Sequence, residues 1–336
     1  MTMSEESDIN GLSYKEMPQG NKADYDNLFQ ALDEIDAERY EKEEKESKTL
    51  GAYLDKVDRG NKKLFKSLGV KTSEEFFKNR PPPLRWLVEG IMEERNLVML
   101  AGAPKTAKSW LAIELGLSVA TGTALFGDPL MMGTGRKGNV LFFFLEDGPH
   151  NIYARVASLA KAKGIQDLRD LGLFFRFGGG LDMMNTSEAH QLSDAIRSGI
   201  PSLDLIVFDP FRNLHYGDEN DSAQIIRVME NLRHIRDNTG AAILVVHHTR
   251  KTSAADRDNP GMAIRGSGAI FGSVDGLIAM TSIADISNSH EDTITNNVFT
   301  RVKAGREQRP FSVSLSIKDG FDGRAESATW SVGAKI

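Results

Sequence analysis

At 336 residues with 40% hydrophobic content, the chain is long enough for one large α/β domain with accessory segments, or for two small domains. The absence of cysteine excludes disulfides and cysteine-ligated zinc or iron–sulfur sites, and agrees with a reducing, cytoplasmic setting. A net charge of -6 removes any whole-molecule signature of a nucleic-acid binder, although a ring that threads a strand through its pore needs positive charge only on its pore loops.

The amino terminus, Met-Thr-Met-Ser-Glu-Glu-Ser-Asp, has no signal-peptide pattern, and no apolar run is long enough to span a bilayer, so no membrane partner is expected. Residues 1–23 are polar, carry Gly11, Pro18 and Gly20, and read as a disordered acidic tail. Residues 24–83 read as a helical arm and a proline linker. Leu28, Leu32 and Ile35 recur at helical spacing, the charged run Glu41-Lys-Glu-Glu-Lys-Glu46 follows, and helix is expected from Asp24 to about Lys48. A solvated helix and a subunit-docking arm both fit this segment. A second short helix is expected over Ser73 to Lys78. Pro81-Pro82-Pro83 then holds the chain extended and marks the boundary.

The main domain is expected over 84–320, with 321–336 as a carboxyl-terminal tail. Apolar strands alternate with helices: strand 97–101, helix 109–121, strand 140–145, helix 150–163, strand 173–175, helix 187–198, strand 205–208, helix 221–238 and strand 242–247. That order predicts an α/β fold with a mostly parallel sheet flanked by helices. Segments 276–281, 297–303 and 311–317 read as three further strands with little helix between them, giving antiparallel strands at the carboxyl end.

The first strand runs into Gly102-Ala103-Pro104-Lys105-Thr106-Ala107-Lys108-Ser109, and Trp110 opens the next helix. A glycine-started loop between a buried strand and a helix lets backbone N–H groups converge on an anion, with Lys108 reaching the outer phosphates and Ser109 holding magnesium. The usual pattern has glycine where this chain has Ala107, and a methyl group there restricts positive φ. A chance match within a glycine-rich turn is the alternative.

Asp204-Leu-Ile-Val-Phe-Asp209 brings a carboxylate to a strand end, the edge of an open α/β sheet where ligands bind, and so offers Asp209 as the magnesium-ordering group. Val140-Leu-Phe-Phe-Phe-Leu-Glu146-Asp147 delivers carboxylates to the same edge. Glu146 is the candidate base, with Asp147 second and assigned to capping the helix after Pro149. Ala242-Ile-Leu-Val-Val-His247-His248 ends in two histidines that must point to opposite faces, and His248 is the candidate sensor of the terminal phosphate. Arg250, Lys251 and Arg257 lie in the polar loop that follows and are candidate contacts to DNA phosphates. Arg265 on a flexible turn, and Lys303 and Arg306 after a strand, are candidate cations for a nucleotide site, against the alternative of solvated charges or local ion pairs.

In this order, the loop 102–109, Glu146-Asp147, Leu205-Ile-Val-Phe-Asp209-Pro-Phe-Arg212-Asn-Leu-His215 with Asp218-Glu219-Asn220, and Val246-His247-His248-Thr-Arg-Lys251 with Arg265-Gly266-Ser267 resemble the RecA-like hexameric ATPases of the plasmid replicative helicase RepA group, an AAA-type P-loop family. The resemblance covers about Leu84 to Ile317. It implies a RecA-like core, ATP and Mg2+ as ligands, and hexameric rings with nucleotide sites between subunits. Single-stranded DNA and replication-initiation proteins are the implied partners. It gives Lys108, Ser109, Asp209, Glu146 and His248 the roles above, and Arg265 becomes the cation donated to the next subunit, with Lys303 and Arg306 as further cations. The expected function is a DNA-stimulated ATPase, a replicative helicase of a plasmid, phage or mobile element. A nucleotide-gated regulator or assembly ATPase of the same fold is the alternative, and a recombinase-like filament former is a third reading. The acidic loop Gly217-Asp-Glu-Asn-Asp221 speaks against simple phosphate binding by the first pore loop.

Overall fold

A computed structural model describes residues 22–80, 83, 85–131, 133–249, 268–287, 291–302, 309–320 and 325–335. The chain divides into two units, Met1–Pro82 and Pro83–Ile336. In the first, α1 (Lys22–Ser67) runs well beyond the expected end near Lys48. Leu50, Leu54, Val57 and Leu64 continue the helical spacing, and Lys48–Glu44 and Lys62–Asp58 form i,i+4 ion pairs along it. The short α2 (Ser73–Lys78) matches the expected segment and starts at a capping box, in which the Thr72 hydroxyl accepts from Glu75 N and Glu75 Oε2 accepts from Thr72 N. No helix among the described residues is long and apolar enough to cross a membrane.

The second unit opens with a small hairpin, β1 (Trp86–Val88) and β2 (Met92–Glu93). There follow β3 (Leu97–Gly102), α3 (Lys108–Thr121), β4 (Asn139–Phe144), α4 (Pro149–Ala162), β5 (Gly172–Phe177), α5 (Thr186–Gly199), β6 (Leu203–Asp209), α6 (Ser222–Thr239), β7 (Ala242–His248) and α7 (Gly268–Ser273). Four long strands end the chain: β8 (Gly276–Ser287), β9 (Glu291–Val302), β10 (Phe311–Asp319) and β11 (Ala325–Lys335). They build one nine-stranded sheet in the order β11-β10-β9-β8-β3-β7-β6-β4-β5. The pairings from β8 to β5 are parallel, and those from β8 to β11 are antiparallel.

The parallel strands are apolar on consecutive residues because both faces are covered. Val98, Leu100, Phe142 and Phe144 join a core with α3 and α4, whereas Leu97, Met99, Leu141 and Phe143 join a core with α5, α6 and α7. Segment 321–336, expected as a tail, instead contains β11, whose Ala328 and Trp330 belong to the first of these cores. β8 and β9 are also about twice as long as expected. Their outer ends carry polar residues, which hides the strand when apolar runs are the signal.

Register fixes where the site must lie. Gly102 pairs with His248, and Phe144 pairs with Asp209, so the carboxyl ends of β3, β7, β6 and β4 lie along one sheet edge.

Candidate active site

β3 ends at Gly102, where an added Cβ would stand 2.7 Å from Thr106 Oγ1 and 3.0 Å from Met280 O. Only glycine lets the loop turn back this closely. The loop closes on the carbonyl of Ala103, which accepts from Thr106 N at 3.4 Å, Thr106 Oγ1 at 2.9 Å and Lys108 Nζ at 2.7 Å. Lys105 (φ 67°) and Ala107 (φ 59°) are left-handed. Ala107 occupies the N-cap of α3 without a side-chain cap, leaving the first-turn N–H groups for an anion. Glycine holds this conformation at no steric cost, whereas alanine is disfavoured there by about 1 kcal/mol.

A cleft of about 380 Å³ opens over this loop. Lys105, Ala107, Lys108, Ser109, Trp110, Glu146, Asp209 and His248 all line it, so the structure brings together the candidates from four strand ends. Gly102, Ala103, Pro104 and Thr106 shape the loop around it. Lys108 is buried, and that burial lowers its pKa to about 8 against the attraction of Asp209. Burial raises Asp209 to about 6, opposed by a hydrogen bond with Ser109 and by the charges of Lys108 and Arg155, while Asp147 pushes it up further. Asp209 Oδ2 is buried with no hydrogen-bond partner among the described residues. A buried carboxylate oxygen with no partner, beside a serine hydroxyl, is the donor set that suits a hard divalent cation such as magnesium.

Glu146 sits exposed on the turn after β4. That turn is pinned to the neighbouring strand, since Leu145 N donates to Asp209 O at 2.8 Å and Asn213 Nδ2 donates to Leu145 O at 3.1 Å. Asp147 does not cap α4. Gly148 holds the N-cap position, and Asp147 Oδ2 instead accepts from Arg155 Nη1 at 2.6 Å. α4 places Arg155 within reach of Asp147, and the pair joins two full charges, whereas a cap would set the carboxylate against the partial charge of backbone N–H groups.

Arg155 was missed by sequence reasoning. It lines the cleft with its guanidinium 5.6 Å from the Trp110 ring centroid, and its only sequence signal was a cation on an amphipathic helix following the carboxylates. Ile294 of β9 also reaches the cleft and was equally unforeseen. The two histidines diverge as strand geometry requires: His248 enters the cleft, while His247 is buried edge-on against Phe211 at 5.1 Å. Arg250, Lys251, Arg257, Arg265, Lys303 and Arg306 lie outside the described residues.

Two of the three carboxylates of the acidic loop 217–221 are used locally. Asp221 caps α6 by accepting from Ala223 N and Gln224 N, Asp218 Oδ1 accepts from Asn220 N, and Arg212 Nη1 donates to Gly217 O.

A family model described as an AAA domain matches residues 64–254, more than half of the chain. Among solved structures, an ATPase domain of another protein is similar with 14% identity and a TM-score of 0.43, over 67% of this chain and 82% of that one. A KaiC-like protein from the hyperthermophilic archaeon Pyrococcus horikoshii OT3 is similar with 14% identity and a TM-score of 0.44, over 74% of this chain and all of that one.

Proposed function

Since the chain belongs to the AAA-domain family, we propose that it is an ATP-hydrolysing, ring-forming motor of the RecA-like kind that acts on single-stranded DNA, as a replicative helicase does. The observation that carries the ATPase part is the convergence of Lys108, Ser109, Asp209, Glu146 and His248 on one cleft at the carboxyl edge of the parallel sheet. Lys108, held on Ala103 O, swings to the outer phosphates, and the open N–H groups of α3 receive the inner ones. Magnesium held by Ser109 and Asp209 would neutralise charge on the phosphate oxygens. Glu146 orients and deprotonates the attacking water, and His248 reports the terminal phosphate to the loop that begins at Thr249.

In the same proposal Arg265 comes from a neighbouring subunit of a hexamer, Lys303 and Arg306 add positive charge near the phosphates, and Arg250, Lys251 and Arg257 hold the DNA backbone. Replication-initiation proteins are the proposed loading partners. The domain boundaries proposed from the sequence are retained, except that the ATPase domain extends through β11.

One observation favours a second reading, a nucleotide-gated regulator without unwinding activity. Asp218 and Asp221 of loop 217–221 are committed to a local turn and a helix cap, and the loop carries no cation, so DNA contact in this proposal falls to the 250–257 segment. Steady-state hydrolysis with and without single-stranded DNA, at low and moderate salt, separates the two. Salt-sensitive stimulation that disappears when Arg250, Lys251 and Arg257 are all changed to alanine supports the motor, and hydrolysis indifferent to DNA supports the regulator.

A further inference from the structure

The phosphate loop is also touched from the antiparallel side of the sheet. Asn296 lies on β9 and is completely buried, and its Nδ2 donates to Thr106 O at 3.3 Å. Only the amide nitrogen can face a carbonyl in this way. The other end of the side chain, Oδ1, is buried with no hydrogen-bond partner among the described residues. On the same face of β9, Val298 belongs to the apolar cluster that includes α3, and the half-buried Ile294 packs against it. A leucine would fill this row without leaving a dry acceptor, so packing does not explain the amide.

We propose that Asn296 is a positioning residue for the phosphate loop, fixing the peptide between Thr106 and Ala107. A trans peptide is planar, with its C=O and N–H pointing in opposite directions. Holding the Thr106 carbonyl toward β9 therefore turns the Ala107 N–H away from β9. This is the residue that needs such help. Where the usual loop has glycine, the left-handed conformation is freely populated, but here it must be held at an alanine with φ 59°. Neither side chain next to the peptide competes for the clamp, since the Thr106 hydroxyl is already engaged with Ala103 O. The geometry stands independently of the ATPase reading, but its consequence for binding rests on that reading.

The test uses the full chain carrying Asn296→Leu, with Asn296→Ser as a second variant should leucine fail to fold. Two readouts are taken: the backbone order of Ala107 from 15N relaxation without nucleotide, and the affinity for MgADP by calorimetry. Expected are an unchanged or higher melting temperature, an Ala107 order parameter falling from about 0.85 to below about 0.6, and affinity about tenfold weaker. In the Ala107→Gly background the same Asn296→Leu change should weaken binding only about twofold, because glycine needs the clamp less. An unchanged order parameter at Ala107, or an equal loss of affinity in both backgrounds, would overturn the proposal. Failure of the wild-type chain to bind MgADP would sink the ATPase reading, and the relaxation measurement would still decide the clamp.

Discussion

The two halves of the sheet supply the same cleft in different ways. In the parallel half, β3, β7, β6 and β4 are apolar through their central residues and carry the reactive groups at or just past their last residues: the 102–109 loop, His248, Asp209 and Glu146. In the antiparallel half, polar side chains sit in mid-strand. Thr293 and Thr295 of β9 meet Ser316 and Ser314 of β10 at 3.2 and 3.0 Å, and Asn296 reaches the loop from the middle of its strand. Strand ends in a parallel sheet can change chemistry without disturbing the core, whereas a mid-strand residue is read by fold and site together.

If that division is right, the largest effect belongs to a strand-end residue with no structural role. Glu146→Gln should lower turnover by about 10²–10⁴-fold while nucleotide still binds. Because Glu146 is exposed, stability should move by no more than about 0.5 kcal/mol. Parallel assays of hydrolysis and binding check this, and retained turnover would remove Glu146 from its role.

Asp209 sharpens the contrast, because it is a strand-end residue that the fold carries at a cost. Its pKa is raised from 3.8 to about 6, so the folded chain holds the proton more tightly than the unfolded chain does. Stability from this group therefore falls as pH rises from about 4 to about 6, and the full penalty persists above that window. Asp209→Asn should raise stability at pH 7 in magnesium-free buffer by about 1–3 kcal/mol and abolish magnesium-dependent turnover. Urea denaturation across pH 4–7 reads the slope, which the variant should lose. Lys108 works in the opposite sense: with its pKa lowered to about 8, its penalty is complete below pH 8 and is relieved as pH rises toward 10.5. The smallest effect is expected at Ala107→Gly, a gain of about 1 kcal/mol or less from relief of the left-handed strain. A loss of stability there would show that the alanine is not strained.

What was legible in the sequence follows the same division. Continuous apolar runs ending in Gly102, Glu146, Asp209 and His248 are local signals, and they placed the parallel strands and the cleft. β11 and the outer ends of β8 and β9 were not legible, because alternating strands with exposed hydroxyl and charged residues lack an apolar run. Asn296 lies 190 residues from its partner Thr106, a pairing that only the sheet register creates. The Asp147–Arg155 pair was hidden for a smaller reason: the carboxylate before Pro149 looks like a cap until α4 is seen to bring an arginine to it.

The central claim is that loop 102–109 is a phosphate cradle built around Lys108, and calorimetric titration of MgADP into the wild-type and Lys108→Ala chains tests it most directly. The account expects saturable one-site binding to the wild type and affinity weaker by about 10²-fold or more in the variant. Equal affinity in the two chains, or no binding to either, would contradict it.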